Sequence, residues 1–197
     1  MYIDRILSPV TTLGPGRRLV IWTKGCGKHC KGCANPELWH IGDARNRPVE
    51  EIVRIVTNIY RDAPFEGITI SGGDPLEQKE EVLRLLKALT SLTEDILVYT
   101  GYTMAELEQN WSGEELGQLR ERAAVVIDGP YVDALNEDGM ALRGSGNQRI
   151  YYLKPQFQRA YEQYMEEGRK IQNIYMGSRL VSVGIHNRMG GLTNEEA

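Results

Sequence analysis

The chain lacks the features of an extracellular, membrane-bound or nucleic-acid-binding protein. Its 197 residues include only three cysteines, all between residues 26 and 33, which is not the even, dispersed set of a disulfide framework. No apolar run approaches the roughly eighteen residues of a membrane span, and Met1 to Arg5 do not resemble the start of a signal peptide. The net charge is −4 without a basic block, which disfavours direct binding to nucleic acid. These absences predict a cytoplasmic protein, and the length suits a single domain over residues 1–197.

Short apolar runs that alternate with helical patterns predict an α/β fold. The predicted strands are residues 18–22, 67–70, 96–99, 124–127 and about 149–153. Apolar spacing predicts a helix over residues 49–60, and a second helix follows Asp74-Pro75, with the acid as N-cap. Capping-box patterns predict two short helices, from Thr103 and Ser112. The remaining segments are predicted as a polar, turn-forming start (1–16), a helix (156–167) and a C-terminal β-hairpin (171–176 and 179–185) around Gly177-Ser178.

Strands that read as continuous apolar runs favour a parallel sheet covered on both faces. Five or six βα units predict a partial (βα)5–6 barrel, since a full barrel needs eight strands and typically ~250 residues. Ligands of such folds bind at the carboxyl ends of the strands. Small, polar or acidic residues follow four of the predicted strands, at Lys24-Gly25-Cys26, Ser71-Gly72-Gly73-Asp74, Thr100-Gly101-Tyr102 and Asp128-Gly129. Their coincidence predicts a ligand site at this edge.

The three cysteines, Cys26, Cys30 and Cys33, are spaced C-x3-C-x2-C and indicate a metal site. A structural zinc ion usually takes four protein ligands, so His29 or His40 would have to complete the set. His29 lies inside the tight loop, where reaching the same ion would be strained, whereas His40 is geometrically possible. The alternative is a 4Fe–4S cluster whose fourth iron has no protein thiolate. Since electron-carrier clusters use four cysteines, a count of three favours chemistry at an open iron.

This spacing after one strand, with Ser71-Gly72-Gly73-Asp74-Pro75 after the next, resembles the radical S-adenosylmethionine (SAM) superfamily. The resemblance implies that the open iron chelates the methionine part of SAM. It also implies that one electron from the reduced cluster cleaves SAM to a 5′-deoxyadenosyl radical, which abstracts a hydrogen atom. The three cysteines would then be metal ligands and, through the cluster, catalytic residues.

The same resemblance implies which residues contact SAM. Gly72, Gly73 and Asp74 would hold the methionine ammonium, although many members have Glu at the position of Asp74, and a plain N-cap role for Asp74 remains open. Members often have an aromatic residue before the third cysteine, where this chain has Gly32. We expect backbone contacts from Gly32, Cys33 and Ala34 to replace it. The remaining predicted cofactor contacts are Thr100 and Asp128.

Further motifs resemble the glycyl-radical-enzyme activases, and among these the activating proteins of anaerobic (class III) ribonucleotide reductase. The resemblance extends over roughly residues 3–185. The run from Arg143 to Arg149 narrows it from the activases in general to the activating proteins of anaerobic ribonucleotide reductase. The resemblance implies that a glycine Cα hydrogen of the partner reductase is abstracted and that a low-potential donor such as flavodoxin supplies the electron. The sequence does not assign Arg143 or Arg149 to cofactor or partner. Two alternatives stay open: a radical enzyme with another glycyl-radical partner or a small organic substrate, and a non-enzymatic zinc-binding protein. The motifs that carry the resemblance are Gly14-Pro15-Gly16-Arg17, Trp22-Thr23-Lys24-Gly25-Cys26, Tyr99-Thr100-Gly101-Tyr102, Asp128-Gly129-Pro130-Tyr131 and Val181-Ser182-Val183-Gly184-Ile185.

Overall fold

The computed structural model describes residues 1–177 and 179–187, which form a six-stranded sheet, five α-helices and a two-stranded hairpin. The sheet contains β1 (Ile3–Val10), β2 (Arg18–Thr23), β3 (Gly67–Gly72), β4 (Ile96–Tyr99), β5 (Val125–Asp128) and β6 (Arg149–Tyr152). The helices are α1 (Val49–Asp62), α2 (Lys79–Leu89), α3 (Met104–Asn110), α4 (Gly113–Arg122) and α5 (Gln158–Glu166). The hairpin pairs β7 (Ile171–Met176) with β8 (Arg179–Gly184), as predicted. Ser178, in its predicted turn, and residues 188–197 of the predicted domain lie outside the described residues.

The strands of the sheet lie side by side in the order of the sequence. Strands β2 to β5 are parallel, which confirms the parallel prediction for this part of the sheet. The two edges are antiparallel, so the prediction of a further parallel strand at 149–153 is wrong. The reason lies in the connection: β5 and β6 are joined by a loop whose only regular element is a single 3₁₀ turn, Asp133–Leu135, whereas parallel neighbours need a crossover.

Strand β1 was not predicted, because residues 1–16 had been interpreted as polar and turn-forming. The register against β2 shifts between Ile3 and Arg5 and again between Leu7 and Val10. Each irregularity interrupts the alternation of apolar and polar residues by which a half-buried strand is recognised. The chain nevertheless pairs here, and β1 becomes an edge of the sheet.

Both faces of the sheet are covered, as predicted. All six residues of β2 are buried, and they alternate between two clusters: Leu19 and Ile21 pack with the helices α1 to α4, whereas Val20 and Trp22 pack on the opposite side. Because parallel crossovers are right-handed and the strands follow one another in a single direction, these four helices occupy the same face. The other face is covered by α5 and by the hairpin. Within the described residues, no helix combines the length and apolar character that a membrane span requires.

Local signals place the helix starts. Thr103 and Ser112 each form a complete capping box, with Glu106 and Glu115 respectively, as the sequence predicts. The Asp74 side chain accepts a hydrogen bond from the Leu76 N–H group and caps the 3₁₀ turn Pro75–Gln78, which runs into α2. The caps at Asp74 and Thr103 follow β3 and β4, so they orient the entries to α2 and α3 at the carboxyl edge of the sheet. The capping box at Ser112 follows α3 and starts α4.

A buried ionic network lies at the opposite, amino edge. The Arg18 side chain is 0% exposed, and its Nη1 donates to Asp95 Oδ2 at 2.7 Å. Its Nε donates to Thr69 Oγ1 at 2.7 Å, and the Tyr161 hydroxyl donates to Asp95 Oδ1 at 2.6 Å. The network therefore joins β2, β3, the segment before β4, and α5.

Candidate active site

A cleft of about 120 Å³ lies at the carboxyl edge of the parallel strands. Of the residues that the sequence predicts as functional, the structure brings six to its walls: Cys26, Cys30, Cys33, Gly73, Asp74 and Thr100. The other predicted residues are sequence neighbours of lining residues but do not line the cleft themselves: Gly32, Ala34, Gly72 and Asp128. The ends of β2, β3 and β4 therefore meet around one cavity, where parallel folds bind their ligands.

Backbone hydrogen bonds fix the loop that carries the cysteines. The N–H groups of Gly25 and Cys26 donate to the carbonyl oxygens of Leu38 (2.9 Å) and Trp39 (3.0 Å), so the loop folds back on itself. Leu38 is 0% exposed and anchors the returning segment in the apolar cluster beneath. These contacts place the start of the loop, at Gly25 and Cys26, against the segment 38–39.

Gly72, the last residue of β3, and Gly73 directly after it allow the strand ends to approach. Gly72 has φ +125°, and a Cβ there would lie 2.2 Å from the Thr23 nitrogen. A Cβ on Gly73 would lie 2.4 Å from the Gly25 carbonyl oxygen, while the Gly73 N–H donates to the Thr23 carbonyl at 2.8 Å. Only residues without a side chain fit here, so Gly72 and Gly73 position the cysteine loop.

Replacing Gly73 by alanine should therefore destabilise the protein and lower its metal content. The methyl group would meet backbone atoms that cannot rotate away, so we expect a loss near the upper end of the usual overpacking cost, about 3 kcal/mol. Gly117→Ala is the matched control, because nothing lies within 4 Å of its Cβ position in α4. That change should stabilise by about 0.5–1 kcal/mol. Denaturant titrations of both variants, with iron analysis after reconstitution, check this; equal stabilities would contradict the close approach at Gly73.

Asp74 is buried at the floor of the cleft with three donors on its carboxylate. Leu76 N–H donates to Oδ1 at 3.0 Å, the Thr100 hydroxyl to Oδ1 at 2.9 Å, and Gly101 N–H to Oδ2 at 2.7 Å. Burial raises the pKa of Asp74 to about 6, against the lowering effect of these hydrogen bonds. A carboxylate has about four acceptor positions, so one stays open for a further donor. The predicted N-cap and a contact with a cation are therefore compatible.

Lys28, a lining residue that no sequence motif assigns a role, connects the cysteine loop to the residues at the start of α3. Its Nζ lies 3.0 Å from Glu106 Oε1 and 4.2 Å above the ring centroid of Tyr102. Glu77 accepts from the Gly27 N–H at 3.1 Å and from the Tyr102 hydroxyl at 2.9 Å. These contacts tie the cysteine loop to the starts of α2 and α3.

The opposite wall comes from the turn between Arg143 and Arg149. The Gln148 side chain lines the cleft, accepts from the Gly144 N–H at 2.7 Å and donates to the Gly129 carbonyl at 3.0 Å. Ser145 is 0% exposed, so the turn is held by its own polar groups. Neither Arg143 nor Arg149 lines the cleft; Arg143 Nη1 donates to the Gln148 carbonyl, and the Arg149 side chain is exposed.

The chain is similar to known iron–sulfur proteins. A family model described as a 4Fe-4S single cluster domain matches residues 12–151. Curated relatives from Vibrio cholerae, Escherichia coli and Salmonella typhimurium are each 31% identical, over 144, 147 and 150 residues. The alignments cover 70–72% of this chain and 89–92% of the relatives, and each relative is named anaerobic ribonucleoside-triphosphate reductase-activating protein. The chain belongs to this family.

The side chains at the cleft fit the iron–sulfur cluster that the 4Fe-4S family model indicates. Three thiols line one cavity, and the Nε1–H of Trp39, which also lines it, is buried without an acceptor in the described part of the chain. Burial raises the pKa of the Cys26 thiol, so binding of metal would have to displace a proton. Among residues 1–177 and 179–187, no three His, Cys, Asp or Glu side chains converge on a single ion.

Asp128 and Gly32, two further predicted cofactor contacts, lie outside the cleft lining and contact other parts of the chain. Asp128 accepts from the N–H groups of Met104 (2.6 Å) and Arg149 (3.2 Å), so its carboxylate joins α3 to β6. Gly32 has φ +77°, and a Cβ there would lie 3.3 Å from the ring of Tyr131 and 3.0 Å from Asp133 Oδ1. Glycine before the third cysteine therefore makes room for Tyr131, a cleft residue that belongs to the motif Asp128-Gly129-Pro130-Tyr131 but to which the sequence assigns no role.

Proposed function

We propose that this chain is a radical SAM activase that generates the glycyl radical of an anaerobic ribonucleoside-triphosphate reductase. The observation that carries the proposal is one cleft in which three cysteines face Gly73 and Asp74 from the neighbouring strand. The family model and the relatives' name support the cluster and the partner. The reaction consumes one electron and cleaves SAM to methionine and 5′-deoxyadenosine, whose added hydrogen atom comes from a glycine Cα of the reductase.

Cys26, Cys30 and Cys33 would hold the cluster, which supplies the electron for this cleavage when it is bound. Asp74 would offer its fourth acceptor position to the methionine ammonium, and Thr100 keeps the carboxylate oriented through its own hydroxyl. The Gly73 N–H already bonds to the Thr23 carbonyl, so Gly73 would contact the ammonium through its own carbonyl oxygen, as a second acceptor beside Asp74. Backbone groups of Gly32, Cys33 and Ala34 would border the adenine. Asp128 would act at one remove, by holding the start of α3.

The partial barrel belongs to the same proposal. A sheet of six strands, with α1 to α4 on one face, would curve without closing. The open side would leave the cleft accessible to a loop of a large protein substrate. A low-potential donor such as flavodoxin would supply the electron, and the reaction would take place in the cytoplasm.

The affinity for SAM should rise with pH between 5 and 7. Asp74 has a pKa raised to about 6, so below that value its carboxyl group is largely protonated and attracts an ammonium weakly. As pH rises through 6 the carboxylate forms, whereas an α-amino group, with a pKa near ~7.7–8.0, stays charged. We expect binding about tenfold tighter at pH 7 than at pH 5. Equilibrium dialysis of SAM with the oxidised holoprotein checks this; Asp74→Asn should bind more weakly with a flat profile, and an equally steep profile in that variant would contradict the assignment.

The decisive test combines the reconstituted protein, reductant, SAM and the candidate reductase under anaerobic conditions. We expect a glycyl radical doublet in the electron paramagnetic resonance spectrum and 5′-deoxyadenosine in the products. Cleavage of SAM without a radical on the reductase would favour a different glycyl-radical partner or a small organic substrate. One zinc ion per chain, without iron, sulfide or a brown chromophore, would support the zinc-binding alternative instead.

A further inference from the structure

Trp39 is fixed beside the first cysteine by two sets of contacts. It follows the 3₁₀ turn Pro36–Leu38, and its carbonyl oxygen accepts the Cys26 N–H at 3.0 Å. Its indole lines the cleft and lies 4.9 Å from the His29 ring, centroid to centroid, with an interplanar angle of 33°. Backbone and ring are therefore both tied to the cysteine loop, so the indole has little freedom to turn.

The indole N–H of Trp39 is a buried donor that finds no acceptor among residues 1–177 and 179–187. Buried tryptophans usually find a partner for this group, because losing its hydrogen bond to water is costly. Other buried groups without a partner in the described residues include Nε of Arg5, Nε of Arg143 and Nη2 of Arg169, but each of these guanidinium groups forms hydrogen bonds through its other nitrogens. Tryptophan has only one donor, so Trp39 is wholly unsatisfied. Among the described side chains that have a buried polar atom without a partner, Trp39 is also the one that lines the cleft.

We propose that Trp39 donates this hydrogen bond to a sulfur atom of the bound cluster and thereby raises its reduction potential. The inference rests on the cluster of the proposed function. Sulfur carries more negative charge in the reduced cluster, so a donor stabilises the reduced form more than the oxidised one. The acceptor belongs to the cluster rather than to SAM, because Trp39 is bound to Cys26 and His29 on the cysteine side of the cleft.

The test is a redox titration of the reconstituted protein without SAM, followed by electron paramagnetic resonance. Trp39→Phe keeps an aromatic ring and removes the donor. We expect its ratio of reduced to oxidised cluster at a fixed potential to fall about tenfold, equivalent to ~59 mV for a one-electron couple. Trp111→Phe is the matched control, because Trp111 caps the end of α3 and does not line the cleft. Its potential should equal that of the wild type.

A second variant separates the N–H group from the packing of the ring. Benzothienylalanine at position 39 replaces the indole N–H by sulfur at nearly the same size, and we expect the same fall in potential with full iron content. This variant decides the question if Trp39→Phe fails to hold the cluster. An unchanged potential in this variant would overturn the proposal, whether or not the variant binds SAM more weakly. The iron and sulfide content of the wild type tests the proposed function separately, since it does not depend on Trp39.

Discussion

Cys30→Ala should reduce the cleavage of SAM to the level seen without enzyme, while the protein stays folded. Cys30 is half-buried in the loop, outside the apolar clusters, and its carbonyl still accepts the Cys33 N–H. A change of this kind normally alters stability by no more than about 0.5 kcal/mol. The cluster, in contrast, loses one of three thiolates. Product analysis for 5′-deoxyadenosine, with a thermal melt of the same sample, measures both effects; unchanged cleavage would refute the radical SAM assignment.

His40→Ala is the control that separates the two metal hypotheses. His40 is exposed and contacts the His29 ring at 5.4 Å, centroid to centroid. If the cysteines hold a cluster with one open iron, this variant keeps its four iron atoms and its cleavage activity. If it loses its metal as completely as Cys30→Ala, the fourth ligand is histidine and the zinc alternative gains support.

Arg18→Leu should be among the most destabilising single substitutions in the chain. It would leave Asp95, which is 7% exposed, as a buried charge without its partner. Removing one member of such a pair costs about 3–5 kcal/mol, a large part of the ~5–15 kcal/mol that stabilises a typical domain. Denaturant titration against Arg17→Leu gives the comparison, since Arg17 is the exposed neighbour and its loss should change stability by no more than about 0.5 kcal/mol.

The network at Arg18 offers an internal check on that explanation. Adding Asp95→Asn to Arg18→Leu removes the stranded charge, so the double variant should recover part of the lost stability. If the double variant is no more stable than Arg18→Leu, the loss comes from the acceptors that Arg18 also satisfies, such as the Ile68 carbonyl. Equal stability of Arg18→Leu and Arg17→Leu would show that the pair contributes nothing.

The sequence predicts the central fold well because its signals there are local. The runs at 67–70 and 96–99 are strands on account of their apolar residues, and Thr103 and Ser112 cap helices through side chains three residues apart. What it could not predict depends on pairing between distant segments. The antiparallel edges follow from connections and bulges, and the ionic network around Arg18 joins residues 77 positions apart.

The candidate site divides in the same way. Cys26, Cys30 and Cys33 are found by spacing, and Asp74 by its place after a strand. Trp39, Tyr131 and Gln148 also line the cleft, although the sequence assigns none of them a role. Tyr131 and Gln148 lie in motifs of the family resemblance, Asp128–Tyr131 and Arg143–Arg149, but the turn after Arg143 is what places Gln148 at the cleft. A backbone pairing with Cys26 places Trp39, which no periodicity or motif marks, since an isolated tryptophan in a loop is as often a packing residue.

The backbone pairing of the cysteine loop has a consequence for repair after oxygen exposure. The bonds from Gly25 to Leu38 and from Cys26 to Trp39, and the one from Asp74 to Gly25, are made by the polypeptide itself. In zinc fingers the metal supplies the folding energy, so its loss unfolds the domain. Here the sheet and its apolar clusters supply it. We therefore expect the chain to keep this backbone pairing when a cluster is lost, so that iron and sulfide can be restored to the same loop.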